Sequence, residues 1–194
     1  MIVAALCVAL MSSPPRPDFV ENFRLRLPRS TWEYVLNGGT ARWNGKEFQM
    51  VSDPSQTGFP CIWSRPEVLP KSINFTVEIC YRIPKVGPYG TGVSVESHDG
   101  KTCYARVHAD TALNGALLVA GNNHQRVTNP EKWHFLVVSK EGGKWAVSHD
   151  NDIVSTFTRD DVACKIVLGN NAANLKPWDF SSLSLQHVKV QYTK

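Results

Sequence analysis

The sequence holds no block of five like charges, no Cys-x-x-Cys pair, no Glu-x-Asp triplet and no long window of apolar residues at helical spacing. Each absence excludes something. With a formal charge of only +4 spread over 194 residues, the chain has no electrostatic footprint for nucleic acid. Without closely paired cysteines, no cysteine-based zinc or dithiol site is expected. Without an i, i+3, i+4, i+7 stripe, no amphipathic helix is expected. The one uncharged apolar run, "MIVAALCVALM", is too short to span a bilayer and suits a signal-peptide h-region. Residues 1–17 are therefore expected to be a signal peptide or N-terminal apolar segment. Residues 18–194 are expected to form a single domain, and the expected signal segment implies a secreted or extracytoplasmic protein. A chain of this size can bury one sizeable core. Removing Cys7 leaves Cys61, Cys80, Cys103 and Cys164, which allow three pairings or four buried free thiols.

Short runs rich in Val, Ile, Phe, Tyr, Trp and Thr fill the rest, broken by Gly, Pro, Asn and Asp clusters. That pattern predicts an all-β, two-sheet antiparallel sandwich. In "INFTVEICYRI", Ile73, Phe75, Val77, Ile79, Tyr81 and Ile83 take one face, and Asn74, Thr76, Glu78, Cys80 and Arg82 the other. "TGVSVESHDGKTCYARVHA" predicts a hairpin around Asp99-Gly100. A three-residue loop sets Glu96 against Tyr104 and Ser94 against Arg106, with Cys103, Ala105 and Val107 inward. "KWHFLVVSK", "KWAVSHD" and "DIVSTF" predict three consecutive strands turning at Gly142-Gly143 and Asp150-Asn151, with Trp133 and Trp145 as inner anchors. Asp150-Asn151-Asp152 offers only three local oxygen-bearing side chains, too few for calcium, so turn chemistry accounts for it and a structural Ca2+ has no support. No cofactor is expected. His134, His149 and His187 show no paired spacing, so no metal site is expected.

The order of these pieces resembles the concanavalin A-like lectin/glucanase superfamily, including laminin-G-like modules. The resemblance runs from about Trp32 to Tyr192. It is carried by Trp32, by "WNGKEF" at Trp43–Phe48, and by "IWSRPEVLPKSINFTVEICYRIP", "PEKWHFLVVSKEGGKWAVSHDNDIV" and "IVLGNNAANLKPWDFSSLSLQHVKV". Within the superfamily the chain is most similar to 3-keto-disaccharide hydrolase and family 16-like domains. The resemblance implies a jelly roll and a carbohydrate partner. It does not extend to two catalytic signatures: the family 16 Glu-x-Asp motif is absent, as are the Arg-x-Glu-x-Arg and Gln-x-His motifs of jelly-roll alginate lyases. "SRPEVL" keeps an Arg and a Glu, but Pro66 between them cannot donate to a central ladder.

If the strands above are neighbours, Glu78, Arg82, Glu96, His98, Tyr104, Arg106 and His108 pave one polar sheet face. These types suit a glycan, whose hydroxyl pairs bind planar polar side chains; the arginines and histidines favour an acidic sugar. The alternative is a solvated outer face with weak cross-strand ion pairs such as Glu96–Arg106. A catalytic use of the same face would pair Glu78 with Glu96 as in a retaining glycosidase. It could otherwise set Tyr104 with His98 or His108 for β-elimination of a uronic acid. The expectation is a secreted glycan-binding protein; a hydrolase or lyase, or a laminin-G-like interaction module, are the alternatives. No nucleic acid and no membrane span in the mature protein are expected.

Overall fold

The computed structural model describes residues 16–25, 27–52, 59–87, 91–110, 112–169 and 182–193. In chain order the strands are β1 (Phe19–Glu21), β2 (Trp32–Val35), β3 (Thr40–Trp43), β4 (Phe48–Val51), β5 (Cys61–Ser64), β6 (Asn74–Lys85), β7 (Gly92–Ser97), β8 (Cys103–Asp110), β9 (Gly115–Ala120), β10 (Asn123–Val127), β11 (His134–Glu141), β12 (Lys144–His149), β13 (Asp152–Thr158), β14 (Cys164–Gly169) and β15 (Ser182–Thr193). They form two antiparallel sheets. The eight-stranded sheet runs β13-β12-β11-β6-β15-β4-β3, with β1 also on β15; the seven-stranded sheet runs β10-β9-β8-β7-β14-β5-β2. No helix occurs among the described residues. The all-β sandwich expected from the sequence is thus the observed architecture. The last strand lies beside β1 and β4, as expected for a sandwich whose first and last strands meet.

The two sheets enclose one core. β6 contributes Phe75, Val77, Ile79, Tyr81 and Ile83, all fully or nearly fully buried, as its alternation predicts. The facing sheet contributes Val93 and Val95 from β7, Ala105 and Val107 from β8, and Ile166 and Leu168 from β14. Each large aliphatic or aromatic side chain so buried contributes about 1.5–3 kcal/mol. Turns behave as their residues require. Asp150 and Asn151 both take positive φ, 51° and 74°, the pairing a two-residue hairpin turn needs. All four described cysteines are free thiols. Residues 1–15 and 170–181, which include the expected signal segment and the "NNAANLKPWDF" loop, lie outside the described residues.

Three expectations fail here. The first is the β7–β8 register. Ser94 does face Arg106, but Glu96 faces Cys103, and a bulge between these pairs leaves Tyr104 as the extra residue. A bulge swings its extra residue out of the alternation. Tyr104 therefore turns inward, 2% exposed, and stacks on Trp145 of the other sheet at 3.9 Å and 5°. Cys103 turns outward and is exposed. The second failure is the parity of β11: His134, Leu136, Val138 and Lys140 point inward and Phe135 outward. Trp145 is an inner anchor, 2% exposed, but Trp133 is 37% exposed and lies against the Arg82 guanidinium at 5.1 Å. The third is the seven-residue polar face. β6 belongs to one sheet, and β7 and β8 to the other. Glu78 and Arg82 therefore share no face with Glu96, His98, Arg106 and His108. The sandwich core lies between the two groups.

Candidate ligand-binding face

Residues directly opposite one another across paired strands share a face. Following the pairing through the seven-stranded sheet gives one continuous row on its outward side: Glu33, Trp63, Val167, Ser94, Arg106, Val119 and His124. A flanking row holds Gly92, His108, Leu117 and Arg126, and on the other side lie Lys165, Glu96 and Cys103. Of the seven expected site residues, Glu96, Arg106 and His108 are brought together here, and His98 stands in the turn beyond them. Trp63, Glu33, Ser94 and Lys165 join them. Ser94 was already set against Arg106 by the hairpin; spacing along the chain could not find Trp63, Glu33 and Lys165, because their strands come from distant parts of it. Pro66 falls after the end of β5 at Ser64, as expected of a residue without an N–H.

The contacts on this face are sparse. Arg106 donates to Glu96 Oε1 at 3.2 Å, and Ser94 Oγ donates to the same oxygen at 2.6 Å. Trp63 Nε1 donates to Glu33 Oε2 at 3.0 Å, and Arg65 pairs with Glu33 at 3.4 Å. His108 Nδ1 is buried with no partner among the described residues. A buried ring nitrogen without a partner is rare and carries a desolvation cost. Burial first, and the neighbouring Arg106 second, hold His108 below the ordinary histidine pKa, so the ring is neutral at pH 7. Gly92 lies opposite His108; a Cβ there would fall 1.8 Å from the Val107 carbonyl oxygen. Only glycine allows this close approach of the two strands.

The outward face of the eight-stranded sheet holds the other two expected residues, and its polar groups are saturated. Glu78 accepts from His187 Nε2 at 2.8 Å and Lys189 Nζ at 2.9 Å. Partial burial opposes its ionisation, but these two donors outweigh it and lower its pKa. Arg82 grips Glu47 with two hydrogen bonds of 3.0 and 2.8 Å, and Ser184 Oγ donates to Glu47 Oε1 at 2.9 Å.

The topology also removes one catalytic arrangement. Glu78 and Glu96 project from opposite outer surfaces of a sandwich whose sheets pack about 10 Å apart, so they cannot flank one glycosidic bond at about 5 Å. Tyr104 points inward while His108 points outward, so they do not form an acid–base pair. Tyr104 and His98 both line a cavity of about 370 Å³ with Asp99, Arg159 and Asp160, while the Tyr104 ring itself stacks on Trp145. Burial pushes the Tyr104 hydroxyl up to about 12.

No family model matches the chain, and no curated protein matches it. Solved structures do. A laminarinase from Flavobacterium sp. UMI-01 superposes with a TM-score of 0.65 at 14% identity, covering 90% of this chain and 99% of that one. The alginate lyase from Corynebacterium sp. gives 0.63 at 13%, covering 84% and 95%. A β-1,3-1,4-glucanase (lichenase) derived from a mouse hindgut metagenome gives 0.63 at 13%, covering 91% and 99%. The fold is the concanavalin A-like jelly roll. At such identities the likeness is one of fold, and one jelly roll hosts many activities.

Proposed function

We propose that this jelly roll is a secreted or extracytoplasmic glycan-binding protein. The outward face of its seven-stranded sheet is the contact surface. Arg106, Glu96, Ser94 and Lys165 supply hydrogen bonds to sugar hydroxyls, and Trp63 supplies a ring face. The observation that carries the reading is the continuous outward row that runs from Trp63 through Ser94 to the half-exposed Arg106. Similar folds in enzymes acting on polysaccharides support the ligand class. Arg106, Lys165 and Arg126 offer cationic donors on this face, which suit an acidic sugar.

The similar folds support the hydrolase or lyase alternative comparably, but this face offers it poor geometry. Its two carboxylates, Glu33 and Glu96, stand on strands three steps apart, roughly 14 Å at the usual strand spacing. That is wider than either glycosidase arrangement. A laminin-G-like interaction module would instead use the loop rims.

A glycan array probed with the wild-type chain, Arg106→Ala and Glu78→Gln tests the proposal. Retention of an acidic polysaccharide by wild type and Glu78→Gln, with at least a tenfold loss for Arg106→Ala, is expected. Equal retention by wild type and Arg106→Ala would show that this face is the wrong one. Release of reducing ends or unsaturated products from the retained polysaccharide would move the reading to the enzyme.

A further inference from the structure

On the inner side of the eight-stranded sheet, away from the proposed glycan face, two histidines and an aspartate converge. The β11–β12 pairing sets Leu136 opposite His149. This brings His134 and His149 side by side, with ring centroids 5.2 Å apart, and places the turn residue Asp150 over both. His134 Nδ1 lies 2.6 Å and His149 Nδ1 3.5 Å from Asp150 Oδ2. One ligand atom from each of the three falls within 4.8 Å of the others.

We propose that His134, His149 and Asp150 bind one divalent transition-metal ion of the zinc class. Three observations carry this. First, the spacing is right. Around zinc, with bonds of about 2.0–2.1 Å, tetrahedral ligand atoms sit roughly 3.3 Å apart, and the two measured separations bracket that value. Small side-chain rotations open the site.

Second, the outer atoms of all three groups are already held. His134 Nε2 lies 3.0 Å from the Asn129 carbonyl, and His149 Nε2 lies 2.8 Å from the buried Tyr81 hydroxyl. Asp150 Oδ1 accepts the Phe135 N–H at 2.8 Å. Metal-ligating histidines are oriented in this way by a partner on the far ring nitrogen. With an ion at Nδ1, each neutral ring needs one proton only, at Nε2, where a carbonyl or hydroxyl oxygen accepts it.

Third, the donor set selects the ion. Two imidazoles and one carboxylate suit zinc, cobalt, nickel or copper. Calcium requires six to eight oxygens. The histidine side chains are 8–10% exposed and that of Asp150 is 41%. Solvent therefore reaches the site past the carboxylate and supplies the remaining ligand. Sixteen residues separate His134 from Asp150, which is why no spacing motif announces the site.

Isothermal titration of the untagged chain with zinc chloride tests this, together with cobalt(II) as a visible-absorption probe. Asp150→Asn is the key variant. Asparagine tolerates the positive φ of 51° at this position, and its amide oxygen can still accept the Phe135 N–H, so the turn is retained. One equivalent of zinc is expected to bind wild type, raise its melting temperature, and leave calcium without measurable heat. Asp150→Asn is expected to weaken zinc at least tenfold, and Tyr81→Phe, which removes only the outer hydroxyl, by about 10-fold or more. Cobalt should give the visible bands of a four-coordinate nitrogen–oxygen site in wild type alone. Absence of stoichiometric zinc binding to the folded wild type overturns the proposal. So does unchanged affinity in both Asp150→Asn and His149→Gln.

Discussion

The outward faces of the two sheets are built from similar residue types and are used differently. On the eight-stranded sheet every named carboxylate is taken up: Glu78 by His187 and Lys189, Glu47 by Arg82 and Ser184. On the seven-stranded sheet Glu96 and Glu33 are likewise each held by two donors, but the Arg106 side chain stays 47% exposed, against 33% for Arg82. The first arrangement stabilises the fold, because its groups lose water and regain full hydrogen bonding at once. The second leaves donors for something else. A polar sheet face identifies a ligand site only when its polar groups are not already spent on one another.

Substitutions that separate stability from binding sharpen this contrast. Glu47→Ala should have the largest effect. Glu47 is only 5% exposed, and its loss strands Arg82 and Ser184, costing about 3 kcal/mol in urea denaturation; a loss below about 1 kcal/mol would mean that the face is not saturated. Glu78→Gln should cost about 1 kcal/mol or less, since its partners are partly exposed. It should also change the acid limb. The folded-state pKa of Glu78 lies below its ordinary value of 4.5, so its stabilisation is present above that value and is lost as pH falls through the folded value. Denaturation followed between pH 6 and pH 3 should show a shallower decline in the variant. Trp133→Ala should cost about 0.5–1 kcal/mol through the lost contact with Arg82, without touching glycan retention. Arg106→Ala should change stability by less than about 0.5 kcal/mol. It should nevertheless move the His108 titration midpoint upward in a proton NMR pH series, because Arg106 is one cause of its lowering. An unmoved midpoint would separate the two residues.

The sequence makes β6 plain and β11 misleading, for a physical reason. In β6 one set of alternating positions is wholly apolar or aromatic and the other mostly polar, so burial chooses the parity. In β11 both sets mix types: Trp133, Phe135 and Val137 against His134, Leu136, Val138 and Lys140. Apolarity alone favours the first set. The second set wins because its polar members find partners from distant segments: Lys140 pairs with Asp161, and His134 with Asp150 and Asn129. Asp161 also accepts the Ser72 N–H, so an acidic residue from the β13–β14 connection makes a buried lysine tolerable. Pairings of this kind are tertiary, and no local pattern carries them. The candidate site shows the same division. Glu96, Arg106 and His108 were legible because one hairpin positions them. Trp63 and Lys165 were not, because they reach the face through strand order.

The extra residue at Tyr104 has a consequence for how this hairpin can change. Between the tip and the ligand-facing row the ladder slips by one, and the displaced ring locks onto Trp145 across the sandwich. Any gain or loss of residues on the tip side of that ring leaves the row beyond it in phase. Deleting Tyr104 would close the bulge and restore an unbroken alternation from Cys103 to Arg106, so Arg106 and His108 would stay outward and only the stack on Trp145 would be lost. The bulge thus fixes which ring fastens the hairpin to the opposite sheet without setting the phase of the row behind it.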